Sequence, residues 1–159
     1  MRMTLGNLDT GESITAQYNP KEVEISIAAV FSKIKTFGGT FEEQQFSNVT
    51  NAKIMFSLVF DARSSRALDL ADVEGFLASL LYPRTAVSAI ATGAPPLVLL
   101  SWPNWIALVA RKPAFSQRTT RFAKDGRPEA QTYKVELEAH STRRIGSEIV
   151  RRSAFKRAA

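Results

Sequence analysis

Residues 53–60 read Lys53-Ile54-Met55-Phe56-Ser57-Leu58-Val59-Phe60, and Asp61 follows. Ile54, Phe56, Leu58 and Phe60 recur at every second position, so an extended chain puts all four on one face. A helix, with about 3.6 residues per turn, would scatter them around its circumference. The run is therefore a strand with one buried face. The period then changes. Val73, Phe76, Leu77, Leu80 and Leu81 fall at i, i+3, i+4, i+7 and i+8, one stripe of a helix. Asp69 or Asp72 caps its start and Pro83 stops its end. Gly75 weakens it by roughly 1 kcal/mol relative to Ala. The stripe is the natural cover for a sheet's apolar face.

Period two continues on both sides of this pair. Ile14 to Tyr18 is a short strand stopped by Asn19-Pro20, a turn-initiating pair. Val23, Ile25, Ile27, Ala29 and Phe31 alternate with polar neighbours, which predicts one half-buried strand with a wet face. Gly38-Gly39 breaks the pattern, and Ser32 to Asn51 and Arg84 to Pro96 read as long loops. Leu97 to Leu100 is an apolar strand, and Pro103-Asn104 turns the chain into Trp105 to Arg111. Phe115 to Phe122 and Ala130 to His140 flank Lys124-Asp125-Gly126-Arg127-Pro128, where Asp-Gly signals a hairpin. In the last strand Tyr133, Val135, Leu137 and Ala139 alternate with Lys134, Glu136, Glu138 and His140. The fold class is mainly β with one principal α-helix, near residues 69–82. About seven strands form an antiparallel β-sandwich or barrel.

The composition bounds the chemistry. At 159 residues, 45% hydrophobic and 23% charged, the chain is one folded domain rather than a disordered segment. No apolar run approaches the ~18 residues of a membrane span, and no secretory signal follows Met1. With no Cys there is no disulfide framework, thiolate zinc site or cysteine nucleophile. The one His, His140, lies on the wet face of the last strand, where an exposed side chain is expected rather than a general base. Glu42-Glu43 sits beside a turn, and Asp69/Asp72 suits helix capping rather than metal binding. Gly38-Gly39 lacks the context of a phosphate cradle. Trp102 and Trp105 flank a turn and suit core filling. No catalytic, metal or cofactor-binding residue is expected.

Charge is distributed unevenly. Residues 1–110 carry 8 Lys/Arg against 10 Asp/Glu, and residues 111–159 carry 13 against 5. One reading is a footprint for nucleic acid, with Arg118, Arg121, Phe122, Lys124 and Arg127 mixing cations and an aromatic. The other is a solvated strand face plus a basic tail that docks on an acidic protein. The chain divides into a β domain, 1–140, and a basic arm, 141–159. In the arm Arg143, Arg144, Arg151, Arg152, Lys156 and Arg157 face only Glu148. Ile145, Ile149, Val150 and Phe155 suit a one-sided contact made on binding.

The order of these signals resembles the N-terminal domain of contractile injection system tube proteins, which a LysM module often follows in baseplate proteins. The residues that carry the resemblance are Tyr18-Asn19-Pro20 with Glu24-Ile25-Ser26-Ile27, then Leu58-Val59-Phe60-Asp61 and Asp72-Val73. Ala94-Pro95-Pro96-Leu97-Val98, Ser101-Trp102 and Phe122 to Ala130 complete it. Pro103 after the Trp and Glu129 before Ala130 depart from the family's habit, and no LysM module follows. The resemblance implies a tail-tube fold and a structural, non-enzymatic subunit without cofactors. It implies a homo-oligomer, a ring of six copies, that joins the spike hub and baseplate to the inner tube. Its partners would be spike hub, inner tube and baseplate proteins, not a membrane. Assembly would occur in the bacterial cytoplasm, within a phage tail or injection particle that acts outside after release. Arg143, Arg144, Arg151, Arg152 and Phe155 are the candidate inter-subunit contacts. The alternative is a nucleic-acid-binding β-domain that uses the basic C-terminal third.

Overall fold

The computed structural model describes residues 1–34, 38, 43–65, 68–83 and 94–140. The strand at 53–61 forms as its alternation requires. In β6 (Lys53–Asp61), Ile54, Phe56, Leu58 and Phe60 are buried, and each is paired with β9 (Pro128–Ala139). Ile54 lies opposite Leu137, Phe56 opposite Val135 and Leu58 opposite Tyr133, so two alternating strands contribute one continuous apolar face. β9 also pairs along β8 (Ile106–Phe122), which returns to β7 (Val98–Trp102) through the Pro103–Trp105 turn. Asn104 takes a positive φ of 67° there, a conformation that Asn tolerates. β7 pairs with β1 (Thr4–Asn7), β1 with β2 (Ser13–Thr15), and β3 (Val23–Ser26) with β6. All these ladders are antiparallel, in the order β2-β1-β7-β8-β9-β6-β3.

The helix α1 (Leu70–Ser79) lays Leu70, Val73 and Leu77 on the core, with Leu80 buried at its C-cap. Burial of each such side chain contributes about 2 kcal/mol. Asp69 is the N-cap, its Oδ1 accepting from the Ala71 N–H at 2.8 Å. The expected helix and its cap are both present. Helix and sheet enclose Met3, Leu5, Val98, Leu100 and Tyr133 in one core. Tyr133 is fully buried, and its hydroxyl donates to Gln131 Oε1 at 2.6 Å. Phe60 meets its ring edge-on, with centroids 5.9 Å apart. Burial, with the negative charge of Glu74 second, pushes the phenol up to about 12.

The two end strands of the sheet, β2 and β3, are consecutive in the chain, and Gln17 between them bonds to the end of β6. Gln17 acts there as a substitute strand. Its Oε1 accepts the Asp61 N–H at 2.6 Å, and its Nε2 donates to the Asp61 carbonyl at 3.0 Å and to Ser64 Oγ at 2.6 Å. The Tyr18 hydroxyl hydrogen-bonds with Ser64 Oγ at 3.1 Å. Asn19 accepts the Met3 N–H at 3.0 Å and donates to the Met1 carbonyl at 3.1 Å, fixing the chain ahead of β1. Pro20 is buried. The Tyr18-Asn19-Pro20 motif is thus a structural clasp.

Four sequence expectations are corrected. The run Val23 to Phe31 is two strands, because the chain leaves β6 at Ile27-Ala28 and enters a separate hairpin. Only Val23 is half-buried, packed against the core, whereas Ile25, Ile27 and Phe31 all face solvent. Ser32 to Asn51 is not all loop, since β4 (Ala29–Ile34) and β5 (Glu43–Val49) pair with each other. β1 was not expected, its four residues being too short and Gly/Asn-bearing to show a period. The runs at 105–111 and 115–122 are one strand, whose register shifts between Arg111 and Ala114, across a Pro113 that has no N–H to donate. Gly39, Glu42, residues 84–93 and the arm with Arg143, Arg144, Arg151, Arg152 and Phe155 lie outside the described residues.

Candidate assembly surface

The β4–β5 hairpin forms a two-stranded sheet of its own and, among the described residues, pairs with no strand of the seven-stranded sheet. Its root is clamped twice: the Thr50 N–H donates to the Ala28 carbonyl at 2.8 Å, and the Ala28 N–H to Thr50 Oγ1 at 3.0 Å. From there the register runs Ala29 opposite Val49, Val30 opposite Asn48, and Phe31 opposite Phe46. Ser47 is the extra residue of a bulge, which increases local twist. Alternation puts Ala29, Val49, Phe31 and Phe46 on one face. The two Phe rings meet edge-on with centroids 5.8 Å apart.

That face is wet. Phe31 is 54% exposed, Phe46 56% and Val49 55%. The second face adds Val30 and Ile34, also exposed. Isolated exposed apolar residues are common, but a two-stranded hairpin with apolar side chains on both faces is unstable alone in water. Burial of these groups against another surface would contribute about 1–2 kcal/mol for each large side chain. The hairpin therefore presents apolar side chains to solvent on both of its faces.

The other sequence candidates do not converge. His140 is exposed one residue beyond β9, its backbone N–H bonded to the Val109 carbonyl at 2.9 Å. Among the described residues no group of three or more His, Asp or Glu is placed to hold a metal. Trp102 is partly buried against the core, whereas Trp105 is half exposed, their rings 5.2 Å apart. Of the cations proposed for a nucleic-acid groove, Arg121 lies 3.7 Å from an Asp61 oxygen, and Arg127 Nε donates to Asp125 Oδ2 at 2.6 Å. That hydrogen bond holds the Asp125 carboxyl below its ordinary range and raises the Arg127 guanidinium. Both groups are exposed, Arg127 more than Asp125. The pair shapes the β8–β9 turn, where Gly126 supplies a φ of +85°. Carboxylates thus already face two of the groove's four cations.

Sequence reasoning missed the hairpin as a surface, although its signal was present. Phe46 and Val49 are apolar residues in a polar stretch, and the period-two run through Phe31 had no partner assigned to it. The family described as contractile injection system tube protein matches residues 4–145. No curated protein matches this chain. Among solved structures 16 chains match. One belongs to the anti-feeding prophage baseplate, determined by cryo-electron microscopy and 6-fold symmetrised, at 9% identity and a TM-score of 0.43. That alignment covers 91% of this chain and 93% of the other.

Proposed function

This chain belongs to the contractile injection system tube protein family, and on that premise we propose that it is a ring-forming subunit joining the spike hub and baseplate to the inner tube. The observation that carries the reading is the exposed Phe31–Phe46 face on a hairpin separate from the seven-stranded sheet. Membership of the family makes the chain a structural component of a tube or baseplate. A ring needs a heterologous contact, in which one patch of each copy meets a different patch of the next, and rotation closes the circle. A folded sheet domain with an exposed apolar hairpin supplies one half of such a contact. Six copies is the number that the sequence resemblance implies.

The test is the mass of the purified chain by native mass spectrometry. A closed ring of defined stoichiometry is expected for the native sequence. Phe31→Ser with Phe46→Ser should return the monomer while amide exchange in β6 and β9 stays native. A ring that survives the double substitution would remove the hairpin from the interface. Steep loss of DNA affinity with salt, measured alongside, would instead support the nucleic-acid reading.

A further inference from the structure

The outer edge of β2 is open beside α1. The Asn7 N–H donates to the Glu12 carbonyl and the Ala16 N–H to the Met3 carbonyl, both at 2.8 Å. In an antiparallel ladder such bonds alternate, so Glu12, Ile14 and Ala16 turn their backbone groups toward β1. Ser13 and Thr15, between them, turn N–H and C=O the other way. β2 ends the sheet, and among the described residues no strand pairs with that edge. Both residues are exposed. Two donors and two acceptors are thus presented to an incoming strand. We infer that the groove between β2 and α1 binds an extended, cationic peptide segment of another protein, which adds to β2 as a further strand.

The groove has room for such a guest. Its volume is 610 Å³, within the ~300–1,000 Å³ of ordinary ligand clefts. Glu12, Ser13 and Ile14 line one side, and Asp72, Gly75 and Phe76 of α1 line the other. Ile14 and Phe76 pack against the core, which gives the groove a fixed apolar footing. At Gly75 the helix wall stands back, since a Cβ placed there would meet no atom within 4 Å. The glycine that weakens α1 therefore keeps the groove open.

Charge selects the guest. The groove is lined by Glu12, Asp69 and Asp72 and, among the described residues, by no Lys or Arg. Asp69 spends one oxygen on the helix cap, whereas Glu12 and Asp72 have no ion pair among the described residues. The cations Arg63 and Arg127 line an adjoining cavity at the start of α1, with Glu129, and Arg127 is already held by Asp125. A guest cation is thus drawn to Glu12 and Asp72, while backbone pairing with Ser13 and Thr15 keeps the segment extended. The inference concerns this groove alone and does not rest on the ring or on the hairpin.

The probe is the capped pentapeptide Lys-Thr-Val-Thr-Lys, added to the purified full chain. In an extended guest both Lys and the Val share one face. Calorimetry should detect binding below ~1 mM, and saturating peptide should slow exchange of the Ser13 and Thr15 amides about tenfold. Glu-Thr-Val-Thr-Glu should bind about tenfold more weakly, as should the Lys peptide N-methylated at its three central residues, which removes the pairing N–H groups. Glu12→Gln with Asp72→Asn should weaken the Lys peptide about tenfold, each exposed ion pair being worth up to ~fivefold. Gly75→Leu fills the groove while favouring the helix, so its loss of binding cannot come from unfolding. No binding at ~1 mM, equal binding of the N-methylated or Glu peptide, or unslowed exchange at Ser13 and Thr15 would overturn the inference. A native mass changed by the Glu12 and Asp72 substitutions would assign the groove to a contact between copies and overturn it too.

Discussion

Replacing Gln17 by Ala should loosen the link between the chain after β2 and the end of β6, and the cost can be worked from the contacts. The side-chain amide makes three hydrogen bonds, at 2.6, 3.0 and 2.6 Å, to the Asp61 N–H, the Asp61 carbonyl and Ser64 Oγ. A typical bond contributes about 1 kcal/mol net, and the partial exposure of the site lets water replace some of what is lost. We therefore expect about 2 kcal/mol, well beyond the ~0.5 kcal/mol of an ordinary surface change. In urea, with a slope of about 2 kcal/mol per M, the midpoint should fall by ~1 M at unchanged slope. The Asp61 amide should exchange faster than its neighbours in β6. Gln17→Glu refines the test. At neutral pH it places a carboxylate against the Asp61 carbonyl and loses the donor, whereas acid restores an O–H there. Its deficit relative to the native chain should shrink as pH falls through the carboxylate range. A midpoint shift below ~0.25 M for Gln17→Ala, with the Asp61 amide still protected, would refute the clasp.

Three further outcomes follow from the same contacts. Asp69→Ala removes the acceptor of the Ala71 N–H and should cost about 1 kcal/mol in urea unfolding, with assembly unchanged. The Tyr133 phenol, raised to about 12 when folded against ~10 when unfolded, favours the folded state fully below pH ~10, and that contribution is lost as pH rises through 12. Tyr133→Phe should remove this alkaline slope while costing about 1 kcal/mol at pH 7, because buried Gln131 loses its donor. His140→Ala should change stability by under ~0.5 kcal/mol and leave the native mass alone, since the ring is exposed. Loss of particle function with native mass intact would reopen acid–base chemistry at this residue.

Much of the seven-stranded sheet was legible because its strands are half-buried. Ile54 to Phe60 and Tyr133 to Leu137 alternate because one side faces the core and the other water, and α1 shows its stripe for the same reason. The hairpin obeys a different rule. Val23 to Phe31 alternates as a core strand does, yet beyond the half-buried Val23 its apolar row of Ile25, Ile27 and Phe31 is exposed, so alternation there does not mark burial. β5 was hidden because Glu-Gln-Gln-Phe-Ser-Asn-Val carries few apolar residues, its pairing being set by the β4 backbone. The Gln17 link was invisible because a side-chain amide standing in for a strand leaves no period. Tyr18-Asn19-Pro20 was legible as a motif, and only the fold gave it a physical task. The basic cluster was legible as charge, but not the carboxylates that face Arg121 and Arg127.

The measurement that bears most directly on the account is cryo-electron microscopy of the assembled particle at side-chain resolution. We expect several copies of this chain in one closed ring, with Phe31 and Phe46 of each copy buried against the next. A particle that holds the chain with both rings in solvent, or as a single copy without a neighbour of its own kind, would contradict it.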